Sequence, residues 1–311
     1  MALKIGPIDI KYPAVLSPMA ALTDIVFRRL VDEIGGVGFM VSEMISAEGI
    51  RRGNRKTVEM MRSHDFKSPQ FLQLFGPEPE AMAEAAKFVE NETGFHGIDL
   101  NMGCPANKVV KREAGSALLK NPPQIARIVR AVRNNTSLPV TVKIRLGYMQ
   151  ENVREVVDVL ESEGIDALTV HFRLKAHRYD TPADWSYAGL VRERFSKLVI
   201  GNGDIFTVAD AQQRLELVDA VMIGRGAIED PLIFHKISAL NEIPSLAAIV
   251  DRLLELIQEY YPEKMWLSRV KAYTRYLVAK RPNAKRIRQK IYNASDYAEA
   301  KSFFHELLRE S

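Results

Sequence analysis

A single cysteine, Cys104, stands among the 311 residues. That excludes a disulfide within the chain and a metal site built on two thiolates. No apolar run reaches membrane-spanning length, and the opening Met1-Ala2-Leu3-Lys4-Ile5-Gly6-Pro7 lacks the apolar core of a secretion signal. With so little cysteine, this points to the reducing cytoplasm and away from a membrane. No Gly-x-Gly-x-x-Gly follows any strand-like run, which counts against an open dinucleotide-binding sheet. Low-complexity tracts are also missing. Net charge is small, +4, but unevenly spread. Residues 241–311 hold 13 Lys/Arg against 9 Asp/Glu, so the first 240 residues are neutral and the whole excess is C-terminal.

What is present is a series of eight short apolar runs, most followed by a helical pattern. They are Ala14–Leu16, Phe39–Val41, Phe71–Phe75, Gly97–Leu100, Val140–Ile144, Ala167–His171, Leu198–Ile200 and Ala220–Ile223. A small hairpin around Gly6-Pro7 precedes them. Helices are expected from Thr23 or Asp24 to Ile34, from Gly76-Pro77 through Asn91, from Pro122 to Asn134 and from Asn152 to Glu163. Eight strands alternating with helices predict an α/β protein with a (β/α)8 TIM barrel over residues 1–240. Past Pro244, four helical stretches predict a small all-α domain over residues 241–311: Leu246–Tyr260, Lys264–Lys280, Ala284–Tyr292 and Tyr297–Leu308.

Candidate chemistry gathers at the C-terminal ends of the strands, which converge on one mouth in a barrel. Cys104 lies in Asn101-Met102-Gly103-Cys104-Pro105, just past the fourth run. A lone cysteine is most often an inert packed residue. At a strand mouth, between a polar Asn101 and a Gly/Pro turn, it becomes a candidate acid or nucleophile. Gln73, Lys143, His171, Asn202, Gly203, Asp204, Gly224 and Arg225 occupy the same ends of other strands. Gly201-Asn202-Gly203 and Gly224-Arg225-Gly226 follow strands seven and eight, the loops that form the usual barrel phosphate site. Lys143 supplies a cation suited to a reduced flavin near N1, and Gln73 a donor and acceptor suited to a pyrimidine edge. Those features point to FMN. No metal site is expected.

These stretches resemble the tRNA-dihydrouridine synthase family. The matching elements are Ser17-Pro18-Met19-Ala20 with Thr23-Asp24, Gln73-Leu74-Phe75-Gly76, Asp99 to Pro105, Ala114 to Leu119, Val142 to Gly147, Gly201 to Ile205 and Met222 to Ala227. They span the barrel in the family's order. One stretch departs: Leu174 and Lys175 stand where the family has Thr and Arg, and Thr181 stands at a glycine. The departure leaves cofactor binding by His171 untouched and bears on which uridine is chosen.

The resemblance implies an FMN-dependent enzyme that reduces the uracil C5=C6 bond of uridines in tRNA, with NADPH or NADH as reductant. It implies cofactor contacts from Pro18, Met19 and Ala20 in addition to the residues above, Cys104 as general acid to C5, and Asn101 as a ligand of the target base. The nicotinamide would dock on the flavin face without a domain of its own. The base must leave its stack to react.

The C-terminal part resembles the family's helical RNA-binding domain more loosely. From Lys264 to Lys290 it carries ten Lys/Arg and no Asp/Glu. Among them, Lys271, Arg275, Lys285 and Arg286 are the expected RNA contacts, with Tyr273, Tyr276 and Tyr292 interleaved. A monomer with no obligate protein partner is expected. Two rival readings stand beside this one. The first is a flavin barrel acting on a small substrate, as in dihydroorotate dehydrogenase or an ene-reductase. The second is a non-catalytic RNA-binding protein.

Overall fold

A computed structural model describes residues 3–61, 65–277 and 283–309. The strands are β1 (Leu3–Ile5), β2 (Ile8–Ile10), β3 (Ala14–Leu16), β4 (Met40–Ser46) and β5 (Gln70–Phe75). They continue with β6 (Gly97–Asn101), β7 (Val140–Gly147), β8 (Ala167–Leu174), β9 (Leu198–Asn202) and β10 (Ala220–Ile223). Strands β3 to β10 form a closed barrel in chain order, with β10 pairing β3 in parallel. This is the predicted TIM barrel.

Alternation along each strand divides the barrel into an apolar and a polar half. Val15, Val41, Phe71, Ile200 and Met222 pack into one interior cluster. The antiparallel β1–β2 hairpin adds Ile5 and Ile10 to it and so plugs the N-terminal end. Phe39 and Phe71 meet there with ring centroids 4.9 Å apart. Truncating Phe71, which is fully buried, would cost about 3–5 kcal/mol. Higher up, polar side chains replace the apolar ones: Gln73, Asp99, Thr141, Thr169 and His171 are all buried.

The expected elements differ from the observed ones mainly at their ends. The second barrel strand runs on past Val41 to Ser46. A register shift between Val41 and Met44 absorbs the polar pair Ser42-Glu43, which had broken the apolar run. Strands β7 and β8 run on to Gly147 and Leu174, past the charged Arg145 and Arg173 that interrupt the apolar pattern. The helix after β3 spans Ile25–Ile34, with Asp24 as N-cap and Gly35 as stop.

Helices Leu246–Tyr260, Glu263–Leu277, Ala284–Asn293 and Tyr297–Arg309 follow. Their buried faces, including Leu253, Ile257, Val270, Tyr273, Ile287 and Phe304, join the apolar core that surrounds the barrel. Arg252 adds a bidentate pair with Glu33 of the first barrel helix, at 2.7 and 2.8 Å. Lys280 and Arg281 lie outside the described residues. Among the described residues, no helix is long and apolar enough to cross a membrane.

Candidate active site at the barrel mouth

A cavity of about 660 Å³ opens at the C-terminal ends of the strands, within the usual range for small-molecule sites. Cys104, Asn101 and all eleven expected cofactor contacts line it: Pro18, Met19, Ala20, Gln73, Lys143, His171, Asn202, Gly203, Asp204, Gly224 and Arg225. Of the four expected RNA contacts, Arg275 lines it and Lys271, Lys285 and Arg286 do not.

The strand register explains how the polar groups meet. Gln73, Asp99 and Thr141 are direct neighbours across β5, β6 and β7. The Asp99 carboxylate accepts from Thr141 Oγ1 at 2.6 Å and from Gln73 Nε2 at 2.7 Å. A carboxylate only accepts, so the Gln73 amide must turn its nitrogen toward Asp99 and its oxygen away. That oxygen takes Asn101 Nδ2 at 2.8 Å. Asn101 Oδ1 in turn accepts the backbone N–H groups of Gly103, at 3.2 Å, and Cys104, at 2.9 Å. The turn bearing the thiol is thus fixed by a side-chain relay that begins at a buried acid.

The return path of this loop is equally constrained. Ser116 N donates to the Cys104 carbonyl at 3.0 Å. Gly115, at φ +60°, lies so close that a Cβ there would sit 2.9 Å from the same carbonyl oxygen. Arg145 Nε donates to Gly103 O at 2.9 Å, and its Nη1 to Leu174 O at 3.0 Å. Both faces of the Cys104 turn are therefore braced.

Electrostatics at the centre of the mouth are set by burial. Lys143 donates to Asn202 Oδ1 at 3.0 Å, and Asn202 Nδ2 donates to Met222 O at 2.7 Å. The Lys143 side chain faces the cavity, yet the enclosing protein still lowers its pKa to about 7. Arg145 adds to the depression, while Asp99 and Cys104 oppose it. Burial raises Asp99 to about 6 against the pull of Thr141, Gln73 and Lys143. His171 is held well below its ordinary value by burial and by the charges of Arg145, Lys143, Arg173 and Arg225. It is therefore neutral. Arg173 Nη1 lies 3.1 Å from His171 Nε2 and can only donate, so the imidazole proton sits on Nδ1.

The anion side of the cavity is built by β8, β9 and the loop after β10. Asp204 is shared between Arg173, Arg225 at 3.2 Å, and the Ala183 N–H at 2.9 Å. Burial pushes Asp204 up, but these donors outweigh it and hold the carboxyl below its usual range. Asp204 orients the two arginines and is itself ill suited to touch an anion. The Arg225 guanidinium lies over Tyr179, 4.4 Å from the ring centroid, and Tyr179 stacks on His171. Gly203, at φ +128°, is packed so that a Cβ would meet Ala183 at 2.8 Å. A neutral N–H donor, a guanidinium and a close glycine backbone suit a phosphate, and Lys143 suits the electron-rich edge of a flavin ring. The residues present fit FMN.

Several contributors were not singled out from the sequence. Arg145 sits two positions after Lys143, on the same face of β7 by strand alternation. Asp99 is an acid inside an apolar strand run, itself a signal of a buried polar network. Tyr179 also lines the cavity, and so do Arg288 and Tyr276, the latter already expected among the aromatics interleaved with the basic run. The last two come from helices whose fold over the mouth has no local sequence signature.

The dihydrouridine synthase family profile matches residues 15–311. A probable tRNA-dihydrouridine synthase of Rickettsia conorii is 35% identical over 310 residues, covering 94% of this chain and 92% of its own length. tRNA-dihydrouridine synthase B of Pseudomonas aeruginosa is 34% identical over 321 residues, covering 97% and 96%. Among solved structures, morphinone reductase superposes with a TM-score of 0.53 at 15% identity, over 80% of this chain and 91% of its own. The old yellow enzyme homologue of Zymomonas mobilis gives 0.56 at 13% identity, over 88% and 98%. The two structures share the barrel fold, and the sequence matches go further: this chain belongs to the dihydrouridine synthase family.

Proposed function

We propose that the chain is a tRNA-dihydrouridine synthase that reduces the C5=C6 bond of specific uridines in tRNA, using FMN and NADPH. The observation that carries this reading is the Asn101-anchored turn. It presents Cys104 into the same cavity as Lys143, His171 and Arg225. FMN, when bound, would supply the hydride that reaches uracil C6. Arg225, His171 and Gly203 would hold its phosphate, Pro18, Met19 and Ala20 would flank it, and Lys143 would stabilise its electron-rich edge.

Hydride addition at C6 leaves carbanion character at C5, and the Cys104 thiol gives its proton there. Asn101 has both ends of its amide engaged within the chain. With Nδ2 also donating to Met44 Sδ at 3.8 Å and Oδ1 also accepting Gly103 N–H, the amide is fully used, so it serves the base by holding the acid in place rather than by touching it. Arg275, Tyr276 and Arg288 give the cavity a basic and aromatic wall that a small substrate does not need. That wall favours RNA over the dihydroorotate-type reading. Residues 1–240 act as the catalytic unit and 241–311 as the RNA-facing unit, within a single working chain.

The test is to map dihydrouridine in RNA from cells lacking this protein and to assay the purified protein on modification-free tRNA. Loss of dihydrouridine at particular tRNA positions, restored by the protein, is expected. Turnover of free uridine or dihydroorotate with none on tRNA would overturn the reading.

A further inference from the structure

Asp24 takes no part in the chemistry above and does not line the cavity, yet it is among the most heavily bonded side chains of the molecule. It is 1% exposed. Oδ1 accepts the Phe27 N–H at 3.1 Å, capping the first barrel helix, and the Tyr273 hydroxyl at 2.6 Å. Oδ2 accepts the Tyr261 hydroxyl and Arg269 Nη1, both at 2.7 Å. Three of its four donors thus come from the C-terminal helical segment, more than 230 residues away in sequence: Arg269 and Tyr273 from helix Glu263–Leu277 and Tyr261 from the link before it. The Tyr273 ring also stacks on Phe27, with centroids 6.0 Å apart.

The two sides of this junction each lead to a wall of the cavity. On the barrel side, the neighbouring Thr23 Oγ1 accepts Met19 N–H at 2.7 Å and so shapes the Pro18-Met19-Ala20 loop. Arg28, buried behind it, donates to Thr23 O at 2.9 Å. On the other side, Arg275 and Tyr276 follow Tyr273 by two and three residues on the same helix and border the cavity. A shift of that helix therefore moves the basic wall relative to the Met19 loop. Other attachments persist without Asp24: the Arg252–Glu33 pair and the shared apolar core still join the helices to the barrel. Asp24 decides where the wall stands rather than whether the helices attach.

We infer that Asp24 is a positioning residue for the RNA substrate. Its carboxylate gathers Tyr261, Arg269 and Tyr273 and so fixes the Arg275–Tyr276 wall over the barrel mouth. The inference rests on the tRNA reading of the site given above. Replacing Asp24 by Asn keeps a good N-cap and the side-chain shape. It removes the charge that pairs Arg269 and so breaks the salt bridge that joins that guanidinium to the barrel.

The full-length protein loaded with FMN is the sample. Asp24→Asn should raise KM for modification-free tRNA by about tenfold. NADPH oxidation with a small artificial electron acceptor should stay within about twofold of wild type. Tyr273→Phe removes one hydroxyl and keeps the ring stack, so it should shift KM the same way, by about threefold. Hydrogen exchange without RNA should speed up in Glu263–Leu277 and not in the barrel strands for Asp24→Asn. Wild-type KM in both variants, or equal losses in tRNA turnover and acceptor-linked oxidation, would overturn the role. If wild-type protein itself fails on tRNA, the functional reading falls, and the exchange pattern alone then decides the junction.

Discussion

The barrel mouth and the C-terminal helices commit their polar groups in opposite ways. At the mouth, each group is held by the next: Thr141 and Gln73 by Asp99, Asn101 by Gln73, and the Cys104 turn by Asn101. In the helices, the run from Lys264 to Lys290 has one sign in sequence but divides in space. Arg269 is paired with Asp24, and Lys290 with Glu306 at 2.7 Å. Lys271 donates to the Ala294 carbonyl. Arg275 and Lys285 remain exposed. A preorganised network acts through geometry, and its loss is felt in the chemical step. Exposed charge acts at range, and its loss is graded and salt-dependent. Changes at the two places should therefore have different signatures.

The largest effect is expected at Cys104. Cys104→Ala should slow the RNA-dependent half-reaction by roughly 10²–10⁴, the usual worth of a positioned acid. Flavin content and NADPH-driven flavin reduction should be unchanged, because the thiol is not among the groups that hold the cofactor. Stopped-flow measurement of the two half-reactions separates them. Wild-type turnover of tRNA by the variant would remove Cys104 from the mechanism.

The next effect belongs to the helices. Arg275→Glu with Lys285→Glu should weaken tRNA binding by about 10–100-fold near 0.1 M salt and lower the slope of log K against log salt by about two. Flavin reduction by NADPH should not change. An unaltered affinity across the salt series would place RNA binding on the barrel rim and dissolve the contrast between the regions.

Most of the barrel could be read from the sequence because burial imposes a pattern. Eight apolar runs with glycine and capping signals suffice to predict eight strands. The cavity residues were legible for a related reason: a polar residue ending a barrel strand has one mouth to face. Two things stayed hidden. The sequence shows that Lys271 is basic, but not that a carbonyl of the next helix sits 3.0 Å away. Nor does it show that Asp99 orients Gln73, since that depends on cross-strand register. Long-range pairing is decided by the fold, and local pattern carries no record of it.

A smaller effect tests the buried acid under the mouth. Burial raises the Asp99 pKa to about 6 in the folded protein, against about 3.9 in an unfolded chain. The folded state thus holds the proton more tightly. The resulting stabilisation is full below pH about 4 and is lost as pH rises through about 6, a window in which Lys143, at about 7, is charged. Asp99→Asn removes this titration. The stability of wild type relative to the variant should fall by on the order of 2 kcal/mol between pH 4 and 6 and then level off. Urea denaturation across the pH series measures it. A flat difference would show that Asp99 ionises as freely as a surface acid.

The smallest effect sharpens the division within the basic run. Lys271 belongs to it by sequence, but its ammonium donates to the carbonyl of Ala294, the C-cap of helix Ala284–Asn293. That position satisfies an orphan carbonyl and complements the negative end of the helix. Lys271→Met keeps the apolar stem and removes the donor, so it should cost about 1 kcal/mol of stability. Since the charge is already committed to the fold, tRNA affinity should change by less than about twofold, and the salt slope should stay the same. Arg275→Met, at the cavity wall, should show the reverse: little change in stability and a several-fold loss of affinity. Comparing the two variants in urea unfolding and in a salt series of tRNA titrations checks both halves. If Lys271→Met weakens RNA binding as much as Arg275→Met, the run acts as one charged surface, and its division into structural and RNA-facing residues fails.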